Sequence, residues 1–380
     1  MPSPYHLPPS AHDNRHLSFL TFPTVSIALI RVRLLMEAAR MPLYTAPTVT
    51  RTQRNLSAAI TLFFVAPLVA EFLLGDISIR LIVALIPLAP MYGGGALLIR
   101  ELVRRARRGW PSILLLGAAY ALIEEAFTTQ SLFNPDYLHL HGHFLTHAWI
   151  PFLHIGGWWT LFMLNLHTFW SISASIALVE ALFPAQAREP WLGRVGDSVV
   201  FLLFLLGCVI GTRMGLKMDP FVAPASQFVT AALVILVLIV LAFRLRPVQP
   251  HSQPGPVPSP WLTGLFALIL GLGVLLDFPT LDWGAVIVML VIDFGFLLSI
   301  AVLSRRSAWT PLHVLSLGAG GAVAYGAHAF LQPPVAGGAN HLLAARVGNV
   351  VFLAAAIALT AAGAARTARS LRPTQQPTAQ

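Results

Sequence analysis

Hydrophobic positions in this chain come in long blocks, and the polar positions collect between them. Ten blocks approach the roughly 20 apolar residues that cross a hydrocarbon layer of about 30 Å as a helix. They cover residues 56–75, 81–99, 111–129, 156–183, 198–214, 228–243, 261–276, 283–303, 312–331 and 346–365. Some are short or interrupted, by Pro67, by Pro87 and by the Gly93–Gly94–Gly95 run. No block alternates with period two, so the strands of a membrane barrel are excluded. Lipid offers the backbone no hydrogen-bond partner, which leaves helices. The predicted fold is all-α, a polytopic membrane helix bundle of about ten transmembrane helices.

Composition agrees: of 380 residues, 56% are hydrophobic and 10% charged, with a mean hydropathy of +0.74. A soluble domain carries about 25% charge. The charges also test the count of ten, because the excess of Lys and Arg falls in cytoplasmic loops. With the segment before the first block placed inside, Arg51, Arg54, Arg100, Arg104, Arg105, Arg107, Arg108, Arg188, Arg194, Arg244, Arg246, Arg305, Arg306, Arg366, Arg369 and Arg372 share one side. Arg80, Arg213, Lys217 and Arg346 take the other. Both termini are therefore predicted to be cytoplasmic. The net charge of +9 is then a topology signal facing anionic lipid, so the lipid bilayer is the implied partner and nucleic acid is not. No protein partner or substrate is specified. Lys217 is the single lysine beside 23 arginines, a bias of GC-rich bacterial genomes, which points to a multi-pass protein of a bacterial inner (plasma) membrane.

The expected organisation has five parts. Residues 1–55 are an N-terminal segment, partly disordered or preceding a true start at Met36 or Met41, with an interfacial amphipathic helix as the alternative. Residues 56–245 form a six-helix membrane unit. Residues 246–260, with Pro247, Pro250, Pro254, Pro256, Pro258 and Pro260, form a semi-rigid cytoplasmic linker. Residues 261–366 form a four-helix unit, and 367–380 a disordered tail. The halves show no internal repeat of the kind that marks many transporters.

Ionisable residues at membrane depth are functional candidates by default. Glu124 and Glu125 stand side by side near the end of the third block. Neighbours on an α-helix point about 100° apart, so one is expected to face the bundle interior and the other a neighbouring helix or water. In the fourth block His167, Ser171 and Ser175 recur at i, i+4 and i+8, with Thr160 one heptad earlier. Asp293 lies mid-block, and His328 precedes Gln332 by four residues. Glu71 and Asn349 are read as packing residues, and Glu180 as a group near the inner surface that reaches water. The loop 130–155 holds His139, His141, His143, His147 and His154. Alternation at 139, 141 and 143 places three imidazoles on one side of an extended segment, a candidate metal site; the alternative is an interfacial loop with incidental histidines. The lone Cys208 excludes disulfides and multi-thiolate metal sites.

The Glu124–Glu125 pair followed by an intramembrane His167 resembles the CAAX-protease and bacteriocin-processing family of membrane glutamate proteases, whose pattern is Glu-Glu-x-x-x-Arg, Phe-x-x-x-His and His-x-x-x-Asn. Here Thr129 stands in place of the Arg and Met163 in place of the Phe, and His328 with Gln332 is the nearest third motif. The resemblance implies catalysis by Glu124 or Glu125 with His167 and His328, a carboxylate activating water for attack on a peptide bond. The chain also looks like uncharacterised bacterial multi-pass proteins, which implies no activity. Three functions stay open: an intramembrane hydrolase, a transporter with a carboxylate–histidine relay, and a membrane scaffold or sensor. Walker, dinucleotide-binding and His-Glu-x-x-His sequences are absent, which removes the usual signs of nucleotide and zincin chemistry. No cofactor is specified.

Overall fold

A computed structural model describes residues 55–139, 144–245, 253–276, 279–337 and 341–372. Expectations for the first 54 residues, the first half of the proline linker and the last eight residues lie outside them. Ten helices are found among the described residues: α1 (Leu56–Leu73), α2 (Ile79–Arg105), α3 (Trp110–Thr128), α4 (Gly157–Leu182), α5 (Arg194–Met218), α6 (Ala225–Arg244), α7 (Pro260–Leu275), α8 (Trp283–Leu303), α9 (Pro311–His328) and α10 (Leu342–Ser370). Eight of them are long and apolar enough to cross a membrane, and α7 is a shorter apolar helix packed against α9. The fold is an all-α membrane bundle. Among the described residues the only strands are two residues each, Trp149–Ile150 paired antiparallel with Ile155–Gly156 in the α3–α4 loop.

Local chemistry sets the helix starts. The Asn55 side chain caps α1 by accepting from the Ala58 amide at 3.0 Å. Thr310 and His313 form a reciprocal capping box at α9, and Pro111, Pro260 and Pro311 occupy first-turn positions, where a missing N–H costs nothing.

The expected interruption of the second helix does not occur at Gly93–Gly94–Gly95, which lies within a continuous α-helix from Leu85 to Arg105. These glycines serve close packing instead. A Cβ on Gly93 would lie 1.9 Å from the Phe63 carbonyl oxygen of α1, and one on Gly95 would lie 2.4 Å from the Tyr120 ring of α3. Their absence lets α1, α2 and α3 approach near the middle of the bundle.

Hydrogen bonds between loops establish the alternation of the chain between two ends. At one end the α1–α2 turn bonds the α9–α10 loop through Ser78 and Ala336 at 3.1 Å, and the α3–α4 loop bonds the α5–α6 loop through Asn134 and Asp219 at 2.6 Å. The Ala148 amide of the α3–α4 loop donates to Asp282 of the α7–α8 loop. At the other end Asn55 donates its amide to Trp191 O, Arg105 and Arg108 bond carbonyls of Leu192 and Phe243, and Arg366 bonds Leu182 O. The second end is the arginine-rich one. Helices from both sides of the linker pack together, α9 and α10 lying against α4 and α1.

Burial is uneven. In α4, 78% of the most apolar 18-residue window is inside the protein, against 11% in α8. Exposed Leu202, Val234 and Val291 cover the outer faces of α5, α6 and α8, a surface that lipid solvates and water would not. The central position of α4 is what makes its polar stripe a shared one.

Candidate functional site

Three stretches among the described residues wind as π-helix: Leu68–Leu73 ending α1, Ile123–Thr128 ending α3 and Leu166–Ala174 within α4. Such turns are rare and recur at functional sites, because they redirect side chains at the expense of backbone geometry. Each of the three carries an ionisable group: Glu71, the Glu124–Glu125 pair, and His167. The four groups belong to one buried centre.

His167 is its hub. Its Nε2 lies 2.8 Å from Glu125 Oε1, and its Nδ1 lies 3.2 Å from Glu124 Oε2 and 3.3 Å from Ser171 Oγ. Both neighbouring carboxylates therefore reach one imidazole, contrary to the expectation that they diverge. A π turn holds more residues than an α turn, which narrows the angle between neighbours, and the two carboxylates take opposite nitrogens of the ring.

The two glutamates are equally deep but differently supported. Glu125 Oε2 accepts from Thr129 Oγ1 at 3.0 Å and from the Ser131 hydroxyl, and Trp159 Nε1 donates to that same serine at 3.0 Å. Glu124 is 2% exposed, yet its Oε2 is off-line for the imidazole and has no hydrogen-bond partner. Tyr92 and Tyr120 flank the imidazole, each ring centroid 6.1 Å away. Tyr92 donates to Glu71 Oε1, whereas the buried Tyr120 hydroxyl lies near Glu124 but outside good hydrogen-bond geometry. An acceptor and a donor without hydrogen bonds thus lie in one buried site, each costing about 1–3 kcal/mol if left unpaired.

The centre is connected to the arginine-poor end. Asp76, in the α1–α2 turn, accepts from Gln332 Nε2 at 2.8 Å. Burial, reinforced by the neighbouring Glu71 carboxylate, pushes its pKa from 3.8 up to about 7. Tyr137, in the loop after α3, has its hydroxyl pKa raised by burial and by the carboxylates of Glu125, Glu71 and Glu124.

The remaining sequence candidates lie elsewhere. Asp293 of α8 accepts from Asn165 Nδ2 at 3.1 Å, on a face of α4 away from His167. His328, at the end of α9, has a buried Nδ1 without a partner and no ion pair to the glutamates among the described residues. His139 is exposed and paired with Asp136 at 2.8 Å; it sits in a short 3-10 turn, Tyr137–His139, rather than an extended segment. His141 and His143 lie outside the described residues. Glu180, expected to reach water, is buried and pairs with Arg104 at 2.6 Å and Arg100 at 3.2 Å.

Sequence reasoning read Glu71 as a packing residue and passed over Asp76, Tyr92 and Tyr120. A signal existed for the first, since Glu71 is the sole charge in its block and breaks the same rule as Glu124. The tyrosines gave none, because an aromatic in a membrane helix is ordinary. Comparison with known proteins places the chain: residues 60–373 match an uncharacterized membrane protein family. The chain belongs to that family. The match begins inside α1 and runs through α10, so this family member carries every group of the centre within the matched span. No curated protein and no solved structure is matched, and the resemblance to membrane glutamate proteases gains no support from the comparisons. In this family member Thr129, at the place of those proteases' Arg, instead donates a hydrogen bond to Glu125.

Proposed function

We infer that this multi-pass membrane protein is an intramembrane hydrolase whose water-activating centre is Glu124, Glu125 and His167. The observation that carries this reading is the unpartnered Glu124 Oε2 beside an imidazole and an unpartnered Tyr120 hydroxyl. Hydrolysis needs an acceptor where water is deprotonated and a donor where an oxyanion develops. Glu124 takes a proton from the water as it attacks and forms the new carbon–oxygen bond, and the carbonyl oxygen takes the negative charge beside the Tyr120 donor; the carbonyl then re-forms as the carbon–nitrogen bond breaks, and the proton passes from the carboxylate–imidazole pair to the departing amine. Glu125, gripped by Thr129 and Ser131, holds His167 in place rather than accepting the proton. The glutamate-protease resemblance adds the expectation of a peptide bond at membrane depth as the substrate.

The test is the purified protein in proteoliposomes with quenched fluorescent transmembrane peptides, read by fluorescence and mass spectrometry. Cleavage by the unaltered chain, lost in Glu124→Gln with an unchanged melting temperature, is the expected result. Equal product from both proteins sinks the reading. A second reading, proton-coupled transport, is favoured by the line of Asp76 and Glu71 between the centre and the arginine-poor end. Flux into liposomes that follows a pH gradient and stops in Glu71→Gln would replace the hydrolase with it.

A further inference from the structure

We propose that Glu124, Glu125 and His167 bind one divalent transition-metal cation, with Zn2+ as the best match. This rests on the hydrolase reading for what the centre is for, and names what would activate its water. Four observations support the site.

One ligand atom from each of the three side chains lies within 4.8 Å of the other two, and all three residues are buried. Zinc–oxygen and zinc–nitrogen bonds of about 2.0–2.2 Å place the ligands of one ion a little over 3 Å apart, so binding draws the three side chains together and turns Glu124 from Nδ1 toward the ion. Glu124 Oε2 is buried 3.2 Å from His167 Nδ1 and has no hydrogen bond to give up. Charge points the same way. Glu124 and Glu125 meet one imidazole, and Glu71, bonded to Tyr92, adds a third carboxylate nearby, so the site lacks positive charge unless protons or a cation supply it. Finally, groups that would orient the ligands are in place. Thr129 and Ser131 hold Glu125 beside Nε2, and Ser171 meets Nδ1, the nitrogen that Glu124 leaves when it turns toward a cation at Nε2. Metal-binding imidazoles use their second nitrogen in this way.

The donor set selects the metal class. Two carboxylates and an imidazole suit Zn2+, Mn2+ or Fe2+; Cu(I) favours sulfur, and Ca2+ takes six or more oxygens. Three protein ligands leave a fourth position for water, the arrangement of catalytic rather than structural zinc. Water bound there ionises near neutral pH. Glu124 is then a ligand, and the cation takes over the activation of water.

The full-length protein, purified in detergent and stripped with a chelator, is titrated with Zn2+ and its metal content measured by plasma mass spectrometry after dialysis. One zinc per chain is expected, with affinity weakened more than about 100-fold in Glu125→Gln and His167→Ala and unchanged in the His139→Ala, His141→Ala, His143→Ala triple variant. The isosteric Glu124→Gln keeps the shape of the site if His167→Ala fails to fold, and zinc-edge absorption of the unaltered protein should show a single imidazole with oxygen ligands. No zinc above the buffer blank, or zinc lost only in the triple variant, overturns the proposal. Cleavage without zinc leaves the hydrolase standing and removes the metal; zinc without cleavage leaves the metal and removes the hydrolase.

Discussion

At the arginine-rich end of the bundle Arg100 and Arg104 face Glu101 and Glu180; toward the other end Glu124 and Glu125 face His167, with Glu71 close by on Tyr92. Both clusters are buried. In the first, two cations meet two anions and the polar atoms are used: Arg100 bonds Glu101 at 2.6 Å, Glu180 at 3.2 Å and the carbonyls of Gln186 and Ala187, while its guanidinium lies 3.6 Å above the Trp191 ring. Glu101 also accepts from the Trp191 and Leu192 amides at 2.9 and 3.0 Å. In the second, carboxylates outnumber the imidazole, and the Glu124 and Tyr120 oxygens are left without partners. A balanced network joins α2, α4 and the loop after α4, and has nothing left over for a ligand. An unbalanced one costs stability and keeps atoms free for chemistry. The contrast separates a structural ion network from a candidate site more sharply than burial does.

Substitutions can break this comparison, and the largest effect belongs to the balanced side. Glu180→Ala strands Arg100 and Arg104 in the protein and is expected to cost about 3–5 kcal/mol, seen as a large drop in the detergent melting temperature; a variant as stable as the parent would remove the structural role. Ser131→Ala comes next. It deprives Glu125 Oε2 of a donor and Trp159 Nε1 of its acceptor, an expected loss of about 1–3 kcal/mol in the same assay.

The third effect is a pH dependence. Because Asp76 holds its proton in the fold to a pKa of about 7 against 3.8 in the unfolded chain, the folded state binds more protons between these values. Stability is therefore expected to fall as pH rises from about 4 to about 7, and then to level off. Melting curves across that window should flatten in Asp76→Asn, and in Glu71→Gln the midpoint should move down, since the Glu71 charge helps to raise it. An unshifted midpoint would detach Asp76 from the centre. The smallest stability effect is expected from Glu124→Gln, about 1 kcal/mol or less in the metal-free protein, because Oε2 gives up no hydrogen bond. A loss like that of Glu180→Ala would make the two clusters the same kind of object.

Much of the bundle was legible beforehand because lipid imposes a one-dimensional rule. Ten apolar blocks became ten helices, with ends that moved by a few residues; α2 runs on to Arg105 and α10 to Ser370, where arginine-bearing turns lie beyond the apolar stretch. Glu124, Glu125 and His167 were visible because charge in an apolar block needs a reason. Glu71 broke the same rule and is read from sequence as packing, because nothing in its own block hints at Tyr92 across the helix interface. The glycine run was misread because the same residue type ends helices in water and packs them closely in a bundle.

The sequence by itself determined the solvent, the helix count and the alternation of the loops, since hydropathy and arginine placement act on each segment separately. Only the tertiary structure decided which polar residues meet. The π turns that bring Glu71, Glu124, Glu125 and His167 to one point leave no local signature. The burial that left the Glu124 oxygen unpartnered is set by helices far apart in the chain, from Glu71 on α1 to Tyr325 on α9. Insertion of a helix is decided by its own sequence, whereas the field at a buried carboxylate is decided by every neighbour packed around it.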